Sequence, residues 1–179
     1  MPAPQALGHP ARAIALIGMG ANIGEPRVRL EAAFVELAQL PGTKLLRRSA
    51  FYRTSPVGWA NQPDFINAAA SIATALAPRA LLDALLAIER RHGRRRRAQD
   101  GANTPRPLDL DLLLHGDCII AEAGLVVPHP RMHERRFVLE PVVEIAPDCA
   151  IPGLGLARDW LARVQQDKLA AGQTVERIT

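Results

Sequence analysis

The apolar positions of this chain come in short blocks whose period alternates between strand and helix. Arg12 to Gly18 is an apolar run ended by glycine, the pattern of a buried first strand. Pro26 suits the first turn of a helix, and Leu30, Ala33, Phe34 and Leu37 supply its apolar stripe. Pro41-Gly42 closes that helix. Thr43 to Arg53 predicts a second strand, and Thr54 to Pro63, with two prolines and Gly58, a loop. Asp64 to Thr74 predicts a third strand. In it Phe65, Asn67 and Ala69 share one face, while Ile66, Ala68, Ala70 and Ile72 share the other. Pro78 opens a second helix that turns Leu81, Leu82, Leu85 and Ile88 to the core and ends at Gly93.

Arg94 to Pro107 is a long polar loop, and loops of that length in small domains are functional or disordered. Leu108 to Leu114 follows as a strand, with His115-Gly116-Asp117 as a turn into Cys118-Ile119-Ile120. Pro128-His129-Pro130 predicts a rigid turn before a helix from His133 to Ile145, closed by Pro147. Asp159 to Gln166 predicts a last short helix, after which the end is expected to fray. The order β-α-β-β-α-β, then strand and helix, is that of an α+β ferredoxin-like sandwich, a mainly antiparallel sheet with helices on its faces.

Composition narrows this only a little. A chain of 179 residues, 48% hydrophobic and 22% charged, fits one globular domain with a real core. The net charge of +4 suits an anionic ligand without requiring nucleic acid. Cys118 and Cys149 are too few for a disulfide framework, which points to a reducing cytoplasm. No stretch is long and apolar enough to span a membrane. The proline-rich start, Met1 to Ala11, has no signal-peptide pattern and predicts a disordered tail.

The chemistry concentrates in Pro105-Arg106-Pro107-Leu108-Asp109-Leu110-Asp111-Leu112. Strand alternation puts Asp109 and Asp111 on one face and the leucines on the other, so burying the leucines sets the acids about 7 Å apart at Cα. Such a pair can converge on Mg²⁺, and the arginines Arg94 to Arg97 and Arg106 can grip phosphate bidentately. Together they suggest phosphoryl chemistry. A plain alternative is an edge strand with two solvated aspartates beside a solvated basic loop. An RNA-binding sheet would use the same arginine loop, but it expects an aromatic-rich strand that is missing here. Gly18-Met19-Gly20-Ala21-Asn22-Ile23-Gly24 has the spacing GxGxxxG and lacks the alternating parallel units of a dinucleotide fold, so it predicts a structural turn rather than a nicotinamide site. Asn22 is placed to shape a site at the helix start. His129, held stiffly between prolines, is either structural or a phosphate donor, and Glu89 is expected to pair with an arginine one turn away.

Six stretches, in order, resemble the 6-hydroxymethyl-7,8-dihydropterin pyrophosphokinase family of folate synthesis. They are Ala15 to Asn22, Phe51 to Gly58, Gln62 to Ala68, Ile88-Glu89-Arg90 with Gly93-Arg94, Pro105-Arg106 with Leu108 to Asp111, and Val127 to Met132 running on to Pro147. The resemblance covers residues 12–155. It implies a single-domain, ferredoxin-like, ATP-dependent diphosphokinase there; the chain is expected to be a cytoplasmic monomer, with a partly helical extension over 156–179 that the resemblance does not reach. Transfer of pyrophosphate from ATP to the pterin hydroxymethyl group would release AMP. By position, Asp109 and Asp111 would hold two Mg²⁺ ions, with Arg94 and Arg106 as catalytic arginines. Arg94, Arg96, Arg106, His129 and Arg135 would bind ATP. Phe65 and Phe137 would sandwich the pterin, while Asn67, Thr54, Ser55 and Val57 read its edge. Asn103-Thr104 stands where many relatives carry Trp-Gly, and Trp59 is a candidate replacement lid.

Overall fold

The period-two runs assemble into one antiparallel sheet with helices on both sides. The computed structural model describes residues 12–56, 62–94, 104–167 and 174–178. In chain order its elements begin with β1 (Ala13–Ala21), α1 (Pro26–Ala38), β2 (Thr43–Arg48), β3 (Phe51–Thr54), β4 (Phe65–Thr74), α2 (Pro78–Arg91) and β5 (Asp109–His115). There follow β6 (Ile120–Glu122), β7 (Leu125–Val127), a 3₁₀ turn (Met132–Glu134), α3 (Arg136–Ile145), β8 (Ala150–Ile151), β9 (Gly155–Leu156), α4 (Ala157–Gln166) and β10 (Val175–Ile178). The sheet runs β10-β3-β4-β1-β5, with β2 also paired to β4. Its central order is the ferredoxin-like one expected. Among the described residues no helix is long and apolar enough to cross a membrane.

Alternation divides the core into two layers. Ala15, Ile17, Met19, Ala68, Ala70, Ile72, Leu108, Leu110 and Leu112 face α1 and α2. Leu16, Ala69, Leu113 and Leu114 face α3 and α4. Leu30, Leu37, Leu81, Leu85 and Ile88 are fully buried, each contributing about 1.5–3 kcal/mol of transfer free energy. Proline stands at the start of both α1 and α2, where its missing N–H costs nothing.

Several sequence expectations are corrected. The run Thr43 to Arg53 is not one strand but two, because the chain gains one residue against β4 between Leu45 and Arg47 and another across Ser49-Ala50. At the second break the Ser49 hydroxyl accepts from Ala69 N–H at 2.9 Å, replacing a ladder bond. Gly18 and Gly20 are not in a turn; they lie inside β1, opposite Asp111 and Asp109. Of the three glycines in that motif, Gly24 alone, at φ 71°, takes the left-handed conformation of a turn. The strand expected from Cys118 begins at Ile120; its hairpin partner β7 and the small pair β8–β9 were unforeseen. The third helix begins at Arg136 rather than His133, because buried Met132 seats a 3₁₀ turn and Arg135 is extended. The expected fraying does not hold for Val175 to Ile178, which pairs with Thr54 to Phe51 at the sheet edge. The expected tail 1–11 lies outside the described residues.

Candidate active site

The α3 face of the sheet carries a cleft, and its floor is made by what β1 lacks. Gly18 lies between Ala69 and Asp111, and Gly20 between Asn67 and Asp109. A side chain at Gly18 would press on buried Leu113, and one at Gly20 would stand where Asn67 presents its carboxamide. A Cβ on Gly20 would come within 2.8 Å of Asn67 Oδ1.

On one side of this floor is the acid pair. Both Asp109 and Asp111 line the cleft, while Leu108, Leu110 and Leu112 are buried beneath. Arg94 and Arg106 each ion-pair with Asp109. Arg94 Nη1 also reaches Glu89 Oε1 at 2.6 Å. Burial would raise the Asp109 pKa, but Arg106 and Arg94 outweigh it and hold the carboxyl below the usual range. Asp111 has the opposite fate: burial, then the Asp109 charge, push it up to about 7. Half of this pair is therefore short of positive charge. A hard divalent cation fits such a site chemically, since Mg²⁺ uses one or two carboxylates with substrate phosphates and water. Among the described residues no group of three or more His, Cys, Asp or Glu side chains could hold a metal ion by itself.

Two buried polar residues stiffen this half. Glu89, 1% exposed, accepts from Leu110 N–H at 2.8 Å, between the two acids, as well as from Arg94. Its partner is thus a loop arginine beyond the helix end, not one on the next helical turn. The signal was available: Glu89 continues the apolar stripe Leu81-Leu85, where a carboxylate is out of place unless it has partners. Asn22 joins two loops. Its Oδ1 accepts from Arg106 N–H at 2.8 Å and its Nδ2 donates to Pro63 O at 3.1 Å and Gln62 Oε1 at 3.2 Å.

The other side is an apolar slot with a polar edge. Phe65, Asn67, Thr54, Ser55 and Phe137 all line the cleft. Asn67 Nδ2 donates to Thr54 Oγ1 at 2.8 Å, locking two edge residues together. Arg135, also on the wall, lies with its guanidinium 5.7 Å from the Phe137 ring centre, within cation–π range. His129 is close by but does not line the cleft. Its N–H donates to Leu113 O at 2.9 Å, and Nδ1 accepts from Arg131 N–H at 3.2 Å, which puts the ring proton of the neutral form on Nε2. Burial, and then Arg135, pull its pKa down to about 4, so it is neutral near pH 7. Val57, Trp59, Arg96 and Asn103 lie outside the described residues. Thr104 is described, and its carbonyl accepts from Arg106 Nε at 3.1 Å.

An acid pair, basic side chains and an aromatic-lined slot on one ferredoxin-like sheet define a small enzyme of the phosphoryl-transfer class. Residues 16–147 match the family model for 7,8-dihydro-6-hydroxymethylpterin-pyrophosphokinase (HPPK), and the chain belongs to that family. It is similar to the 2-amino-4-hydroxy-6-hydroxymethyldihydropteridine pyrophosphokinase of Haemophilus influenzae, 40% identical over 87% of this chain and 95% of that one. The Pseudomonas aeruginosa protein of the same name is 44% identical over 76% of this chain and 82% of its own length. Among solved structures, wild-type Plasmodium falciparum HPPK-DHPS shares the fold, with a TM-score of 0.65 and 13% identity over 85% of this chain. This chain spans 44% of that longer one. The family match leaves the RNA-binding and nicotinamide readings without support.

Proposed function

We propose that this chain transfers the pyrophosphoryl group of ATP to 6-hydroxymethyl-7,8-dihydropterin, as a cytoplasmic monomer that uses two Mg²⁺ ions. The observation that carries the reading is the single cleft in which the Asp109/Asp111 pair faces the Phe65/Asn67/Phe137 slot. In the reaction the hydroxymethyl oxygen attacks the β-phosphorus and the bond from that phosphorus to the α-β bridging oxygen breaks. AMP leaves, and the hydroxyl proton is lost to solvent. Bound through Asp109 and Asp111, Mg²⁺ supplies the positive charge that neutralises the triphosphate.

Each side chain then has a definite task. Arg94, Arg96, Arg106 and Arg135 hold phosphate oxygens, and Arg94 and Arg106 stabilise charge as it moves to the leaving AMP. The neutral His129 donates through Nε2–H to the nucleotide. Phe65 and Phe137 stack on the two pterin faces. Asn67, Thr54, Ser55 and Val57 read the heterocycle edge, and the aligned hydroxymethyl group gains the rate advantage of a fixed neighbour.

Incubation with ATP, Mg²⁺ and the hydroxymethyl-dihydropterin should release AMP only when all three are present. Asp109→Ala and Asp111→Ala should each lower turnover by about 10²–10³-fold, the scale for removing a group that organises transition-state charge, with circular dichroism unchanged. Undiminished AMP release from either variant would overturn the metal-holding assignment. Steeply salt-dependent RNA binding without pterin-dependent AMP would replace the whole reading.

A further inference from the structure

The C-terminal strand lies beyond the stretch that matches the family model, yet it is stitched to the slot wall. β10 pairs with β3 from Val175↔Thr54 to Ile178↔Phe51. At its start a reciprocal pair of bonds ties it to Ser55. Ser55 N–H donates to Thr174 O at 3.2 Å, and Thr174 N–H donates to Ser55 Oγ at 3.0 Å. Further along, Arg177 Nη2 donates to Glu144 Oε1 at 3.1 Å. The Glu144 carboxylate also accepts from Tyr52 Oη at 2.7 Å and from Ala50 N–H at 3.1 Å, so β10, β3 and α3 share one anchor. Ile178 packs on the main core.

We infer that β10 is a positioning element of the pterin slot, and that Thr174 N–H sets the Ser55 hydroxyl as a hydrogen-bond donor into the cleft. A hydroxyl has one proton and two lone pairs. With Thr174 N–H occupying a lone pair, and Ser55 on the cleft wall, the proton is free to turn toward the ligand. The ligand atom it suits is an acceptor on the heterocycle edge, a ring nitrogen or carbonyl oxygen. A ligand presenting a donor at that place meets a lost bond, which is how such sites discriminate. The inference rests on the pterin reading above.

The test uses the full chain with Thr174→Pro, which deletes the N–H, and Thr174→Ala, which keeps it. Pterin affinity is measured by calorimetry with a non-hydrolysable ATP analogue present, and analogue affinity is measured alone. Loss of one hydrogen bond predicts about fivefold weaker pterin binding for Thr174→Pro, with Thr174→Ala like wild type and analogue affinity unchanged. In a Ser55→Ala background Thr174→Pro should cost nothing further, because the group it orients is gone. Unchanged pterin affinity in a folded Thr174→Pro, or an equal loss with and without Ser55→Ala, would overturn the inference. Should Thr174→Pro fail to fold, Ser55→Ala alone must weaken pterin about fivefold, and unchanged affinity refutes the idea. A wild-type chain that binds the ATP analogue but not the pterin would instead overturn the pterin reading, and this inference with it.

Discussion

Replacing Gly20 by alanine isolates the shape of the pterin slot from the stability of the fold. The new Cβ would sit 2.8 Å from Asn67 Oδ1, where ordinary contact begins at 3.4 Å, so the carboxamide must retreat by roughly 0.6 Å. It has little room, being 6% exposed and bonded to Thr54 Oγ1 at 2.8 Å. Stretching that bond leaves a buried amide poorly satisfied, at a cost of about 1–3 kcal/mol to the fold, and carries the carboxamide away from the edge it would present to the pterin. The backbone resists nothing, since Gly20 does not have positive φ. Alanine even restricts the unfolded chain, offsetting about 0.4–1 kcal/mol. Calorimetric pterin titration should therefore show weakening of about fivefold, the loss of one hydrogen bond, while Tm falls by at most about 10 °C. Gly18→Ala is the control, because the nearest atoms to its Cβ would belong to Leu113, at 3.3 Å, and not to the Asn67–Thr54 pair. Undiminished pterin affinity in Gly20→Ala would refute the argument that the missing side chain shapes the slot.

Two further predictions concern titration and anchoring. Asp111 keeps its proton in the fold up to about pH 7, whereas the unfolded chain releases it near the ordinary value of 3.8, so its contribution to stability falls as pH rises between those limits. His129, titrating at about 4 in the fold against 6.5 unfolded, contributes in the opposite sense: stability rises with pH over that window. The two slopes oppose each other in metal-free protein. Asp111→Asn should expose the rising slope and His129→Gln the falling one in thermal melts from pH 4 to 7; parallel profiles for the two variants would contradict the assignment. Tyr52→Phe removes the hydroxyl whose proton burial, and then Glu144, hold well beyond the usual phenol range. Glu144 keeps Ala50 N–H and Arg177 as donors, so the loss should be about 1 kcal/mol, seen as a Tm drop of about 2–4 °C.

What could be read in advance followed period and residue chemistry. The faces of β4 and β5 come from simple alternation, which placed Phe65 with Asn67 and Asp109 with Asp111. Alternation says nothing of where a strand gains a residue, so the breaks at Leu46 and at Ser49-Ala50 went unseen. Nor does it mark a strand that closes its pairing with glycine; Gly18 and Gly20 resembled a turn because the cleft needs their emptiness rather than their flexibility. The strand at Val175 to Ile178 was illegible because its four residues alternate no apolar face and acquire meaning only beside β3. Glu89 was a different kind of miss, a visible exception in an apolar stripe whose partners lay 5 and 21 residues away.

The single extra residue in β5 has a mechanical consequence. Across Leu113 the pairing with β1 slips by one. Leu112 therefore points into the layer beneath α1 and α2, and Leu113 and Leu114 both point into the layer beneath α3 and α4. One short strand is thereby riveted through the sheet into two hydrophobic layers that otherwise meet only at its plane. The acids sit just upstream of the rivet, so neither can slide along the strand axis or roll about it without loosening both layers at once. The strand that carries the charge is therefore the fixed part of the site, and substrates must come and go without moving it.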